Sequence, residues 1–426
     1  MTKTKLSSSR LWNIKRLVLI VVCVSTLLDG GTVGGSADTA ESGRASRTLR
    51  SMARVYMAYG DYAKARPLVE QALSLARTKK TSDAELCSCL IDTAWLYMNQ
   101  GMLTDAENMC RQGLELQQKV YYKEHPYIAY TLRTLSSIYQ AQSRYREAKP
   151  VLDRALAIML KSHQANDPLV APFQVDTAKL LVAQGDFAEA ETYYLGALEI
   201  INNSYGPEHP YTAGVLGDLA RLYTLQQRYL EAESLINRTL AVQGKIYGAD
   251  NHLLVPAWVT MAKICQAKKD YDQAERLLRK ALAAVENKRG ASHPLTGKVL
   301  NALGELYVVS ARYAEAESVC QKAVEVLETS LGTDNDYTAM AFNNLARLYI
   351  QQGKYPQARA LCQKALNTLQ NIFGRNHPNI ADVLDTMAQL YQKTANLREV
   401  AKLGQHIEEI NASKQVAYGP ILRPIE

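Results

Sequence analysis

Two stretches decide how this 426-residue chain is read: Leu219-Ala-Arg-Leu-Tyr223 followed by Tyr229-Leu-Glu-Ala232, and Leu345-Ala-Arg-Leu-Tyr349 followed by Tyr355-Pro-Gln-Ala358. They are the same phrase, and working outward from them the phrase recurs. The position of the first tyrosine runs through Tyr97, Tyr139, Leu181, Tyr223, Cys265, Tyr307, Tyr349 and Tyr391 at intervals of 42 residues, with Tyr56 standing 41 before Tyr97. A second aromatic follows six residues later in most copies, as Tyr62, Tyr145, Phe187, Tyr229, Tyr271, Tyr313 and Tyr355, with Leu103 and Leu397 in the others. Three residues further comes alanine: Ala65, Ala106, Ala148, Ala190, Ala232, Ala274, Ala316 and Ala358. The nine copies account for a lopsided aromatic choice, 25 Tyr against 4 Phe.

Each copy reads as two helices. Leu345, Leu348 and Tyr349 share a face at helical spacing, and Ala358, Leu361, Cys362, Ala365, Leu366 and Leu369 repeat that stripe after a break at Gly353-Lys354. A small residue at the Ala358 position lets the two helices approach closely. No copy can bury its apolar face alone, so stacking must bury it. Between copies, His125-Pro126, His209-Pro210, His293-Pro294 and His377-Pro378 recur 84 residues apart, and the intervening copies carry Asp167-Pro168, Asn251-His252 and Asn335-Asp336. Proline suits the first turn of a helix, where its missing N–H had no partner, so these pairs mark helix starts.

The pattern resembles the tetratricopeptide repeat, in the 42-residue variety of kinesin light chains. Leu345, Ala346, Tyr349, Ala358, Cys362 and Ala365 fall on that motif's sites, with Cys362 in place of the usual larger residue. The resemblance covers Thr48 to Ile410. It implies an all-α, right-handed superhelical solenoid of about nine antiparallel helix pairs over residues 41–412, with the ninth pair as a polar cap and 413–426 as a flexible tail.

Ahead of the array, Lys3, Lys5, Arg10, Lys15 and Arg16 precede an uncharged apolar run from Leu17 to Leu28 and small residues near Ser36-Ala37. This is the pattern of a secretory signal peptide and predicts an exported, periplasmic or secreted, chain. An uncleaved anchor over 1–40 that tethers the chain to a membrane is the alternative, although a spanning helix needs about 20 apolar residues. Removing five cations and Asp29 lowers the net charge from +7 to about +3, so overall basicity says nothing about nucleic acid.

Chemistry is sparse. The four His-Pro histidines lie two copies apart and cannot converge on one metal ion, so they read as loop or cap residues. Cys110, Cys320 and Cys362 share a repeat position that elsewhere holds Val69, Leu152 or Ile236 and so belongs to the core. Cys87 and Cys89 point to different sides of a helix, which disfavours a mutual bridge. No phosphate loop, nucleophile elbow or carboxylate pair stands out. The sequence therefore predicts a protein without catalysis, cofactor or metal, whose partner is a protein or peptide.

The resemblance places the first helix of each copy on a concave face. Two residues before the first tyrosine lie Lys179, Arg221, Lys263 and, further on, Arg347, which should line a groove as a basic ladder suited to an acidic or carboxylate-ended peptide. Asn301, Asn343 and Asn344 lie beside it, Asn343 and Asn344 placed to bond an extended backbone. The rival is a small anionic ligand or glycan, which predicts aromatic and charged groups converging in one pocket. An RNA-reading array is disfavoured by the 42-residue period.

Overall fold

The computed structural model describes residues 37–78 and 81–417, so the apolar run expected to be a signal peptide or anchor, residues 79–80 and the last nine residues lie outside the described part. The described residues hold 18 α-helices in nine consecutive pairs and no strand. They are α1 (Ala37–Ala58), α2 (Tyr62–Thr78), α3 (Asp83–Asn99), α4 (Leu103–Val120), α5 (Pro126–Ala141), α6 (Tyr145–Ser162), α7 (Ala171–Gln184), α8 (Phe187–Tyr205) and α9 (Pro210–Leu225). The rest are α10 (Tyr229–Tyr247), α11 (Val255–Ala267), α12 (Tyr271–Arg289), α13 (Pro294–Val309), α14 (Tyr313–Leu331), α15 (Asp336–Gln351), α16 (Tyr355–Phe373), α17 (Pro378–Lys393) and α18 (Leu397–Ala417). The ninth pair extends to Ala417, and residues 418–426 are not described. The chain forms two compact units, 1–138 and 139–426. Among the described residues no helix is long and apolar enough to cross a membrane.

The repeat phrase has a backbone meaning. In every copy the residue four beyond the first-tyrosine position has positive φ: Gly60, Gly101, Ser143, Gly185, Gln227, Lys269, Ala311, Gly353 and Ala395. The next N–H then bonds back to the carbonyl at the first-tyrosine position, as in Arg144 to Tyr139 at 2.8 Å, Arg228 to Tyr223 at 2.8 Å and Lys354 to Tyr349 at 2.8 Å. This left-handed cap ends the first helix and turns the chain directly into the second. The eight alanines nine residues beyond the first tyrosine are all 0% exposed, as required where two helices of one pair touch. Gly304 does the same from the facing helix, since a Cβ there would lie 2.5 Å from Cys320 Sγ.

The dipeptides stand at the helix starts, as expected, and their first residues cap them. Nδ1 of His125, His209, His293 and His377 accepts the N–H two residues on at 3.1, 3.2, 3.0 and 3.2 Å. Asp167, Asn251 and Asn335 do so with a side-chain oxygen. Burial lowers the basicity of His125 and His209, which keeps Nδ1 free to accept.

Tyrosine rather than phenylalanine is used because the hydroxyl and the ring face both have partners in unit 2. Tyr223 donates to Glu191 and Tyr307 to Glu275, each at 2.8 Å. Arg228 and Arg312 lie 3.7 and 4.6 Å over those rings and bind the same glutamates at 2.9 and 2.5 Å. Lys354 likewise lies over the Tyr349 ring and binds Glu317, although the Tyr349 hydroxyl accepts from Gln321 Nε2 instead, so Glu191, Glu275 and Glu317 stitch one second helix to the copy that follows.

Unit 2 also contains contacts that no 42-residue period contains. Ser143 Oγ donates to Asp336 Oδ1 at 2.6 Å and accepts the Asp336 N–H at 3.1 Å. Tyr145 donates to Asp336 Oδ2 at 3.0 Å, and Asn335 Nδ2 to the Ala141 carbonyl at 3.2 Å. Phe373 stacks between Tyr145, at 5.1 Å, and His377, at 3.8 Å. With Nδ1 of His377 engaged in its cap, Nε2–H donates to Ala183 O at 2.8 Å. Gly185 is needed here twice over: its φ is +87°, and a Cβ would meet Pro378 at 2.9 Å. The loops after α5 and α7 thus pack onto the starts of α15 and α17, closing one superhelical turn in a clasp.

Candidate functional site

Of the four cations of the expected ladder, Lys179, Lys263 and Arg347 reach forward to the next first helix. Lys179 pairs with Asp218 at 3.2 Å and Asp176 at 3.8 Å, and Lys263 with Glu305 at 3.8 Å. Arg347 donates to Thr386 Oγ1 at 3.0 Å and to the Asp382 carbonyl at 3.5 Å. Arg221 lies among Tyr194, Asp218 and Tyr337. Burial there works against its charge, but those groups outweigh it and hold the guanidinium above its ordinary basicity.

Two of the ladder residues do meet in a cavity of about 330 Å³ on the first-helix face of unit 2. Arg221 comes from α9, Lys263 from α11, Asn301 from α13 and Asn344 from α15. Asn344 Nδ2 donates to Asn301 Oδ1 at 3.0 Å, which fixes both amides at the cavity wall. Lys179, Arg347 and Asn343 are not part of this lining. Asn343 is 0% exposed and its amide has no hydrogen-bond partner among the described residues, so it cannot reach a groove ligand.

The cavity also holds residues that the ladder position does not reveal. Lys298, one turn earlier on α13, lies 3.2 Å over the ring of Tyr337 from α15. Val255, Val259, Leu295, Val299 and Met340 supply an apolar wall. Lys298 has no ion-pair partner among the described residues, and Glu305 is the one carboxylate in the lining, against Arg221, Lys263 and Lys298. The site therefore joins an apolar surface to a cationic surplus, which suits an anionic group attached to an apolar one. Its repeat position in other copies holds Gly214, Pro256 or Met340, so no periodic signal singles out Lys298.

The six cysteines among the described residues are buried and unbridged. Burial pushes the thiols of Cys110, Cys320 and Cys362 up to about 12, far from a reactive thiolate.

A tetratricopeptide repeat family model matches residues 174–252, 253–329, 308–361 and 337–413, more than half of the chain, and a MalT-like TPR region model matches 35–175. The chain belongs to the tetratricopeptide repeat family. Among solved structures, a Rap protein complexed with competence and sporulation factor superposes with a TM-score of 0.56 at 13% identity, covering 78% of this chain and 99% of that one. A putative kinesin light chain repeat protein from Podosopora anserina matches at 21% identity, covering 49% and 98%, with a TM-score of 0.37. A tetratricopeptide repeat protein from Parabacteroides merdae matches at 20% identity, covering 71% and 98%, with a TM-score of 0.41. No curated protein is significantly similar in sequence.

Proposed function

We propose that the chain is a non-catalytic binding protein, exported through its N-terminal segment, that holds an acidic or carboxylate-ended peptide in the cavity of unit 2. The observation that carries this reading is the convergence of Arg221, Lys263 and Lys298 beside an apolar wall with one opposing carboxylate. The side-chain amides of Asn301 and Asn344 supply acceptor and donor groups for a peptide backbone. The likeness in fold to a Rap protein complexed with competence and sporulation factor agrees with a binding role. Export is tested by sequencing the amino terminus of the chain recovered from its native cells; an intact Met1 refutes a cleaved signal.

The binding test uses an array of short peptides with free or amidated carboxyl termini. Lys298→Glu and Lys263→Glu reverse charges in the cavity and should weaken carboxylate-bearing peptides by tenfold or more, about 1.4 kcal/mol or above. Lys179→Glu, outside it, should leave binding unchanged. Equal binding by all three variants and the parent sinks the proposal. A second reading, a small anionic ligand or glycan, is favoured by the same convergence of Tyr337 with three cations, and is preferred if anionic monosaccharides bind where peptides do not.

A further inference from the structure

In unit 2 a cation or histidine fifteen residues beyond the first-tyrosine position clips a second helix to the preceding one or to the loop after it. Lys280 binds Asp250 at 2.9 Å, Lys322 binds Glu286 at 3.6 Å and Lys364 binds Glu328 at 2.7 Å. Arg238 donates to the Pro207 carbonyl at 3.4 Å, and His406 Nε2 lies 3.2 Å from the Arg375 carbonyl oxygen. On α8 this position is Gly196. The accepting carboxylates are gone as well: Leu160 stands where Glu286 and Glu328 do, and Asn166 where Asp250 does. Glycine inside a helix costs stability. Packing does not require it here, because a Cβ on Gly196 would meet nothing within 4 Å. The room left is a cavity of about 540 Å³ between the α6–α7 loop, at Ala165 and Asn166, and the α8 face of Gly196, Glu199, Ile200 and Asn203. No first-helix residue lines it, so it lies apart from the cavity of Lys263 and Lys298. Its acceptors are unfilled. The side chains of Glu199, Asn166 and Asn203 make no ion pair or hydrogen bond among the described residues. The Ala165 carbonyl, which corresponds to those of Pro207 and Arg375, accepts none either. Glu199 is an added charge, since the next two copies have Ala241 and Ala283 at its position. No cation lines the cavity.

We propose that this cavity is a socket for an arginine side chain of a partner protein, presented among apolar residues. A guanidinium has five N–H donors in a fixed fork and no acceptor, which matches a carboxylate, a main-chain carbonyl and two amide oxygens spread around one hollow. The chain's own Arg238 reaches the corresponding carbonyl in the next copy, so the partner's arginine takes the place that this copy leaves empty. An anionic ligand would meet Glu199 with no cation in the lining to offset it. Leu195, exposed and one helical turn from Glu199 on the same face of α8, and exposed Leu160 at the end of α6 offer apolar contact. An arginine anchored beside apolar contacts that exclude water is the usual chemistry of a protein–protein hot spot. The socket is independent of the first-helix cavity and stands or falls separately.

The test uses the full chain and the probe acetyl-Leu-Arg-methylamide, followed by saturation-transfer NMR up to about 5 mM, the range where weak fragment binding is measurable. Acetyl-Leu-Gln-methylamide is the uncharged control, and the arginine probe should bind at least tenfold tighter. Gly196→Arg fills the socket with the chain's own guanidinium, and Glu199→Gln removes its charge; each should weaken the arginine probe tenfold or more. Glu325→Gln, at the same repeat position as Glu199 but in the copy where Lys322 already fills the place of Gly196, should leave binding unchanged. Circular dichroism melting identifies a variant that fails to fold, and the other of the first two then carries the result. Absence of binding by the arginine probe, equal binding of the glutamine probe, indifference to both folded variants, or an equal loss in Glu325→Gln overturns the proposal.

Discussion

Replacing Asp336 with alanine removes the carboxylate to which Ser143 and Tyr145 donate across 193 and 191 residues of sequence. Each hydrogen bond to a charged acceptor contributes about 1.5–3 kcal/mol, and each buried hydroxyl left without an acceptor adds its own penalty. Asp336 is 8% exposed, so deleting its charge also removes a desolvation cost that offsets part of the loss. The expected net destabilisation is about 2–4 kcal/mol. Because Asp336 also begins α15, part of that figure is local helix electrostatics, about 0.3–1 kcal/mol. A double-mutant cycle with Tyr145→Phe separates the two. The single Tyr145→Phe should cost about 1–2 kcal/mol, and the coupling in the double variant should exceed about 1 kcal/mol. The assay is urea unfolding followed by circular dichroism, with the slope compared between variants, since a long array need not unfold in one step. Alkali gives a second readout. Burial, then the Asp336 carboxylate, raises the Tyr145 hydroxyl well above its ordinary value of 10.0. A raised folded-state value means that the stability it lends is complete below that pH and is lost as pH climbs beyond it. The alkaline loss should shrink in Asp336→Ala. Additivity within about 0.3 kcal/mol would refute the clasp as an energetic link.

In unit 1, Arg50 binds Glu85 at 3.1 Å and Asp92 at 2.7 Å, and Arg54 takes the other oxygen of Asp92 at 3.0 Å. Arg50→Met leaves Glu85 and Asp92 buried with Arg54 alone to compensate, and should cost about 3–5 kcal/mol at neutral pH by thermal unfolding. Burial alone would raise the Asp92 carboxyl, but Arg54 and Arg50 outweigh it and hold it below its ordinary value of 3.8. The parent therefore keeps this stability above that pH and loses it on acidification, so the gap between parent and variant narrows as pH falls below 3.8. Glu275 is held down to about 2, chiefly by its bond to Arg312. Its contribution is complete above the ordinary 4.5 and disappears as pH falls to about 2; Glu275→Gln should flatten the acid limb of stability measured by urea unfolding across that range.

Much of the structure was legible in the residues. The period fixed the helix pairs, since an apolar stripe at helical spacing has one way to be buried and alanine at the Ala358 position marks where backbones meet. His-Pro and Asn335-Asp336 were legible as helix starts because capping is a local matter of one side chain and the N–H two residues on. The positions of Arg221 and Lys263 on the first-helix face followed from the period as well. The tertiary structure alone decided what those cations do. Lys179 and Arg347 are tied to the following copy because neighbouring first helices pack within reach of a long side chain, a distance that no single-copy pattern encodes. It also decided that Lys298 joins Tyr337, that Asn343 is sealed in the core while Asn301 lines a cavity, and that Asp336 meets Ser143. The first two depend on how neighbouring copies pack, and the last on a small rotation from copy to copy accumulated over more than four copies, so each local phrase is silent about them.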